Sequence, residues 1–286
     1  MESRDNGASA VIARIQASLQ ALSQAEGRVA QAVLRDPEGT VYASVTELAE
    51  ASGVGETTVL RFVRRLGYRS YQAFKIDLAR DLSAATQGAH QDQTPQENGD
   101  PLKALTERNQ NVILETYRLL DRSAFNTVVD ILSAAASIHF FGVGHSGITA
   151  LDAAYRFMRL GFPARAYSDA HFQVMAASAL TPQDAAVGLS ISGSTKDTVE
   201  ALRIAKNRGA KTVAITGHAR SPLTQYAQIS LLVAGRESPL ESGSFTSKMA
   251  QLHILDLILA ELVRRDASRV ESYRERVGRA ISEKLY

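Results

Sequence analysis

The 286-residue chain contains no cysteine. Disulfides, thiol catalysis and cysteine-ligated zinc are therefore excluded, and a reducing, cytoplasmic setting is the expectation. No apolar run approaches the roughly 18 residues needed to cross a membrane. The opening residues, Met1 to Gly7, carry no apolar stretch of the kind found in secretory leaders. No repeat of fixed period is present. Charge of one sign is not in excess either: 32 basic and 30 acidic residues leave a formal net charge of +2. The overall charge therefore selects no partner. What remains is 45% apolar and 22% charged, the balance of a soluble globular protein with room for one large or two ordinary domains.

Charge distribution is more informative than its sum. Arg61, Arg64, Arg65, Arg69 and Lys75 fall in one stretch with no acidic residue among them. Such a local patch attracts a phosphate backbone. Residues 83–101 are polar, carry Gly and Pro, and lack large apolar side chains. They bury too little surface to offset their ordering entropy, so they are expected to be a linker. It separates a helical domain over 1–82 from an α/β domain over 102–286.

The helical domain contains two local signals. Ser23-Gln24-Ala25-Glu26 has the form of a capping box, and Pro37 with Gly39 is expected to stop the helix it opens. Val45 to Phe62 then reads as helix, glycine turn, helix. Ala49 is small where the helices cross, Gly53 makes the turn, and Leu48, Val54, Val59 and Phe62 form the apolar wedge. The second helix would project Glu56, Thr57, Thr58, Arg61, Arg64 and Arg65, residues suited to base edges and phosphates in a major groove. Tyr68, Arg69, Ser70 and Tyr71 follow as candidates for backbone phosphates. Glu56 has two uses, accepting from a cytosine amino group or capping its helix. An ordinary hairpin with a solvated basic face is the competing reading.

Beyond the linker, helical patterns alternate with five apolar strand-like runs near 137–143, 164–167, 185–191, 211–216 and 229–233, with a short helix expected over 222–227. That alternation implies a parallel sheet covered on both faces, with ligands at the carboxyl ends of its strands. The run 185–191 feeds into Ser190-Ile191-Ser192-Gly193-Ser194-Thr195-Lys196-Asp197-Thr198 and then a helix. A strand ending in hydroxyls and a glycine before a helix N-terminus is an anion site, with Ser192, Ser194, Thr195 and Thr198 as hydroxyl donors. The earlier run enters Gly142-Val143-Gly144-His145-Ser146-Gly147. Its Gly-x-Gly-x-x-Gly spacing also admits a dinucleotide site, with Asp169 as the acidic residue for the ribose. The second hydroxyl loop has no purpose in that reading.

Taken together these segments resemble the RpiR family of bacterial regulators, which join an N-terminal helix-turn-helix to a C-terminal sugar-isomerase (SIS) domain. Leu22 to Glu26, Thr46-Glu47-Leu48-Ala49, Val59 to Tyr68 and Tyr71 to Lys75 carry the first half of the resemblance. Gly142 to Ser146 and Ser190 to Thr198 carry the second. The resemblance implies an all-α domain plus a flavodoxin-like α/β domain. It implies double-stranded DNA held by Thr46, Glu56, Thr57, Thr58, Arg61, Arg64, Arg65, Tyr68, Arg69, Tyr71 and Lys75. It implies a sugar phosphate surrounded by Gly144, Ser146, Ser190, Ser192, Gly193, Ser194, Thr195 and Thr198. No cofactor or metal is expected. Glu241, in the loop after the last strand, is the candidate for contact with the sugar. It also keeps a phosphosugar-isomerase alternative open, with His145, His171 and His253 as possible partners. A homodimer or homotetramer is expected, paired through apolar stripes on Leu102 to Leu120 and Lys248 to Lys284.

Overall fold

The computed structural model describes residues 10–89, 100–235 and 245–282. The chain forms two compact units that divide between Ala104 and Leu105, within the first turn of a helix assigned below to the second unit, where most of it lies.

The first unit is helical: α1 (Ala10–Ser18), α2 (Gln24–Arg35), α3 (Pro37–Tyr42), α4 (Val45–Ala51), α5 (Glu56–Arg65) and α6 (Tyr71–Ala89). The Ser23–Glu26 capping box opens α2 as expected, and a second box, Ser44–Glu47, opens α4. Gly53 adopts φ +62, which lets the chain reverse between α4 and α5 while Val54 N–H bonds back to Ala49. Leu48, Val59 and Phe62 are buried with Val29, Val33 and Phe74 in one core.

Helix α2 stops at Arg35 before Pro37, as expected, with Asp36 at a non-helical φ of -140. A short helix not anticipated from the sequence follows at once: Asp36 accepts from Gly39 N–H and opens α3, with Pro37 in the first turn, where its missing N–H costs nothing. One expectation needs correction: helix α6 runs on to Ala89, so residues 83–89 of the expected linker are helical. Residues 90–99 lie outside the described residues.

The second unit contains α7 (Pro101–Arg118), α8 (Arg122–Ala134), β1 (Ile138–Phe141), α9 (His145–Met158), β2 (Ala164–Tyr167), α10 (Ala170–Ser178), β3 (Ala185–Leu189), α11 (Lys196–Asn207), β4 (Lys211–Thr216), β5 (Ile229–Leu232), α12 (Phe245–Arg265) and α13 (Ala267–Ser282). All pairings are parallel, in the order β2-β1-β3-β4-β5. Strands β1 and β3 are buried throughout, as a sheet covered on both faces requires. One covering layer packs Phe157 of α9 and Ile254 and Ile258 of α12 against Phe140 and Val187. The other packs Ala201 and Leu202 of α11 against Phe141 and Ala186. The short helix expected over 222–227 is a chain of turns. Pro222 has no N–H to donate, and the Leu223 N–H goes to Gly193 O at 2.9 Å instead of to a helical partner. The apolar stripe of α12 (Ala250, Ile254, Leu255, Ile258, Leu262) is spent inside this core, so it is not the subunit-pairing face expected of it.

Candidate functional site

In the helical unit, Gly55 precedes α5 and supplies no side-chain cap. The positive dipole end of α5 thus carries no side-chain cap from Gly55 and favours an anion. Thr57, Arg61, Arg64 and Arg65 are exposed and Thr58 is half-buried. Glu56 accepts a hydrogen bond from the Thr46 hydroxyl and so ties the start of α5 to the start of α4.

One acid organises this helix from behind. Glu26 is buried, and its carboxylate accepts from Ser23 N–H at 3.0 Å and Ser23 Oγ at 2.7 Å. It also accepts from Arg61 Nε at 3.2 Å and from an Arg65 guanidinium nitrogen at 2.8 Å. The Ser23 side-chain bond, its backbone bond and the two arginines hold the carboxyl at a pKa of about 2. Arg61 and Arg65 are therefore anchored at their inner edge while their outer surface reaches solvent. Arg28 donates to the carbonyls of Ser52 and Gly53 and braces the turn itself.

Three expected DNA contacts are corrected by burial. The Tyr68 ring packs edge-on against Phe74 at 5.6 Å, within the core. Tyr71 is buried, and burial raises its hydroxyl pKa; that hydroxyl donates to Ala43 O. Lys75 is buried with its Nζ 2.9 Å from the same carbonyl, and burial lowers its pKa to about 8. These residues fill the core and close its seam at Ala43, because their polar atoms lie at the tips of long apolar bodies. Arg69 stays exposed, and Ser70 Oγ accepts from Ala73 N–H at the start of α6.

In the second unit the sheet order places β1 beside β3, with the chain leaving β1 toward one edge and β3 toward the other. Ligands in open α/β sheets bind at this reversal, outside the carboxyl ends of the strands. The two loops singled out by sequence, 142–146 and 190–195, flank that crevice.

Each loop is held in shape from behind. Gly142 packs so closely that a Cβ there would lie 2.7 Å from Ser146 O, and its own carbonyl accepts from the buried Gln173 amide at 3.0 Å. Gly144 takes φ +58 and caps α9. Ser146 accepts from Gln251 Nε2 at 3.1 Å, a buried side chain of α12. Gly193 takes φ +61, with a Cβ excluded by Ser221 Oγ at 2.2 Å. Sequence reasoning missed Gln173, Gln251 and Ser221; each lies far from its loop along the chain.

The hydroxyls cluster at the crevice. Ser190 Oγ lies 3.0 Å from Thr195 Oγ1 and 3.5 Å from Ser192 Oγ. Thr195 occupies the cap position of α11 but makes no capping bond, so the first amides of that helix are open. Ser192 is exposed and Ser194 half-buried. Hydroxyls that can rotate and uncapped amides together suit the oxygens of an anion.

Thr198 is corrected. It is wholly buried in α11, with its hydroxyl unpartnered and its methyl near Gly188. It sits in the core behind the loop instead of at the crevice. Glu241 lies outside the described residues. His145 and His171 are exposed and His253 is half-buried. The dinucleotide reading loses its acid, because the Asp169 carboxylate accepts from His171 and Phe172 N–H as the cap of α10. No group of three or more His, Asp or Glu side chains among the described residues is placed to hold a metal ion. None of the described helices is long and apolar enough to cross a membrane.

Comparison with known proteins agrees with both halves. Residues 9–85 match the helix-turn-helix domain of the rpiR family and residues 131–261 match the SIS domain. An HTH-type transcriptional regulator of Haemophilus influenzae is 38% identical over 261 residues, 88% of this chain and 90% of that one. The HTH-type transcriptional regulator HexR of Pseudomonas aeruginosa is 32% identical, covering 87% of each chain. The Vibrio vulnificus NanR protein, solved complexed with ManNAc-6P, superposes with a TM-score of 0.87 at 27% identity, over 96% of this chain and 99% of that one. A relative this similar over nearly its whole length, with the hydroxyl crevice and the helix-turn-helix in one polypeptide, places the chain in the rpiR family of HTH-type transcriptional regulators with a SIS domain.

Proposed function

We propose that the chain binds double-stranded DNA through α5 and that a sugar phosphate between loops 142–146 and 190–195 sets its DNA affinity. The observation that carries this reading is the juxtaposition, at one sheet reversal, of the Ser190–Ser192–Thr195 hydroxyls with the uncapped start of α11. The ManNAc-6P complex of NanR, a protein similar along the whole chain, supports a phosphosugar as the ligand class. In this reading Ser192, Ser194 and Thr195 bind phosphate oxygens, Ser190 orients Thr195, and Gly144 and Ser146 line the facing side. Glu241 contacts the sugar. On the DNA side Thr57 and Thr58 approach base edges, while Arg61, Arg64, Arg65 and Arg69 hold phosphates; Thr46 and Glu56 fix the approach of α5. The protein acts as a cytoplasmic homodimer or homotetramer, the form that suits a helix-turn-helix on a two-fold site. Sensing, not turnover, is the reading the regulator relatives favour.

A coupling of about 1–3 kcal/mol between the two sites, a change of about 5–150-fold in affinity, suffices for regulation. The test is fluorescence anisotropy on DNA from the chain's own promoter region, with and without a panel of sugar phosphates. If no member of the panel shifts the affinity, sensing is wrong. If a sugar phosphate is turned over, and Glu241→Gln abolishes that turnover, the isomerase reading replaces it.

A further inference from the structure

Gln251 is 1% exposed, in a stripe of α12 whose neighbouring members are apolar (Ala250, Ile254, Leu255, Ile258). A primary amide in such a place costs free energy unless it is hydrogen-bonded, and an apolar residue of similar volume packs there without that cost. Among the described residues its amide bonds a single side chain, Ser146. Packing alone therefore gives no reason for a glutamine at this position. The reason lies in what the amide does to one hydroxyl.

A serine hydroxyl has one proton and two acceptor lone pairs. Gln251 Nε2 donates to Ser146 Oγ at 3.1 Å and so fills one lone pair from behind. The amide oxygen lies at 3.5 Å, too far to hold the hydroxyl proton strongly. That proton is left to turn toward the crevice from the first turn of α9, where Ser146 is half-buried. A fully ionised phosphate accepts hydrogen bonds and offers none, so it is held only by a hydroxyl that presents its proton. Ser146 is the one hydroxyl on loop 142–146, across from Ser190, Ser192 and Thr195 on the other loop. A second buried amide, Gln173 of α10, grips the same loop from the other covering layer. It donates to Gly142 O at 3.0 Å and so fixes backbone, not a hydroxyl.

We propose that Gln251 is a positioning residue of the crevice, orienting the Ser146 hydroxyl as a donor to the anionic group of the ligand. This rests on the reading that the crevice holds a sugar phosphate, and it adds α12 as the element that sets the polarity of the facing wall. A carboxyl at position 251 would act in two opposite ways. Ionised, it accepts the Ser146 proton and sets a negative charge behind it. Protonated, it donates an O–H as the amide donates its N–H.

The test uses the full chain and inorganic sulfate, which stays a dianion between about pH 5 and 9. Sulfate affinity is read from the rise in thermal midpoint at constant ionic strength, with a Ser192→Ala/Ser194→Ala chain as the background for sulfate held elsewhere. At about pH 8.5, Gln251→Glu is expected to lose about 10–100-fold in affinity and Gln251→Met only about 2–10-fold. Relative to the natural chain, the glutamate loss should shrink as pH falls to about 5, because burial raises a carboxyl pKa into this range. The ratio is read because the titratable groups of the two helices (His145, Asp152 and Arg156 on α9; Lys248, His253 and Asp256 on α12) are common to all three chains. A glutamate loss no larger than the methionine loss, or one undiminished at the lower pH, overturns the assignment. A natural chain that binds sulfate no better than the background overturns the crevice reading and this one with it. Should Gln251→Glu unfold the chain, Gln251→Met decides in a cycle with Ser146→Ala. If the amide acts through Ser146, methionine costs nothing further once that hydroxyl is gone; additive losses overturn the assignment.

Discussion

Replacing Glu26 by glutamine removes a charge that serves two helices at once. As an acceptor the residue closes the capping box of α2, and as an anion it holds Arg61 and Arg65 of α5. Its pKa falls from the ordinary 4.5 to about 2. At about 1.4 kcal/mol per pKa unit, the full shift would correspond to about 3 kcal/mol. Both arginines reach solvent, so screening reduces the contribution to about 1–2 kcal/mol. A glutamine keeps one acceptor for Ser23 but turns an N–H toward a guanidinium. Glu26→Gln is therefore expected to cost about 1–2 kcal/mol at pH 7. The folded-state pKa is depressed, so this stability is fully present above pH 4.5 and is lost as pH falls toward 2. Hydrogen exchange read by mass spectrometry is the assay, because it reports α2 and α5 separately within the full chain. Faster exchange in both helices at pH 7, with the difference from the natural chain shrinking toward pH 3, is the expected result. Unchanged exchange in α5, or a difference that is undiminished at pH 3, would refute the argument that the carboxylate couples the two helices.

Four further outcomes are expected. Gly193→Ala places a Cβ 2.2 Å from Ser221 Oγ at a φ of +61, so the variant should lose sugar-phosphate binding in calorimetry; adding Ser221→Gly should restore part of it by removing the obstruction. Ser192→Ala with Ser194→Ala should weaken phosphosugar binding about 10–100-fold with little change in the thermal midpoint, since a hydrogen bond to a charged group contributes about 1.5–3 kcal/mol and Ser192 is exposed. Arg64→Ala should weaken binding to all DNA sequences alike and lower the slope of log K against log salt by about one; a sequence-selective loss would instead make it a base reader. Lys75 is held near pKa 8 by burial, so its charged form disfavours folding below that value. Denaturant melts of the natural chain should gain stability between pH 8 and 10, and Lys75→Met should abolish that rise.

Much of the fold could be read locally. The Ser23–Glu26 box, the Gly53 turn and the alternation of apolar strands with amphipathic helices depend on residues within about four positions of each other. The two crevice loops were legible for the same reason: a strand ending in Gly or Ser before a helix is a local pattern. What failed were the judgements that Tyr68, Tyr71, Lys75 and Thr198 face outward, while Thr57, Arg61, Arg64, Arg65 and Arg69 are exposed as expected. Tyr68, Tyr71 and Lys75 look like a phosphate clamp because they flank a basic run. Their burial comes from Phe74 and from Ala43, the latter about 30 residues away. Thr198 matched the hydroxyl motif but occupies the inward face of α11, where it packs near Gly188 of β3. Pro37 does stop α2, but the same residue also starts α3 in its first turn, a second use that the stop signal alone did not reveal.

By itself the sequence determined the order of elements, the hydroxyl-rich loop after β3, the glycine loop after β1 and the basic helix before α6, since each is written in consecutive residues. Only the tertiary structure decided that β1 and β3 are neighbours, so that loops some 46 residues apart in the chain face one crevice. It alone placed Glu26 behind Arg61 and Arg65, and Gln251 behind Ser146. The reason is physical: strand order and side-chain burial are set by which apolar faces find each other across the whole domain, and no short window of residues contains that information.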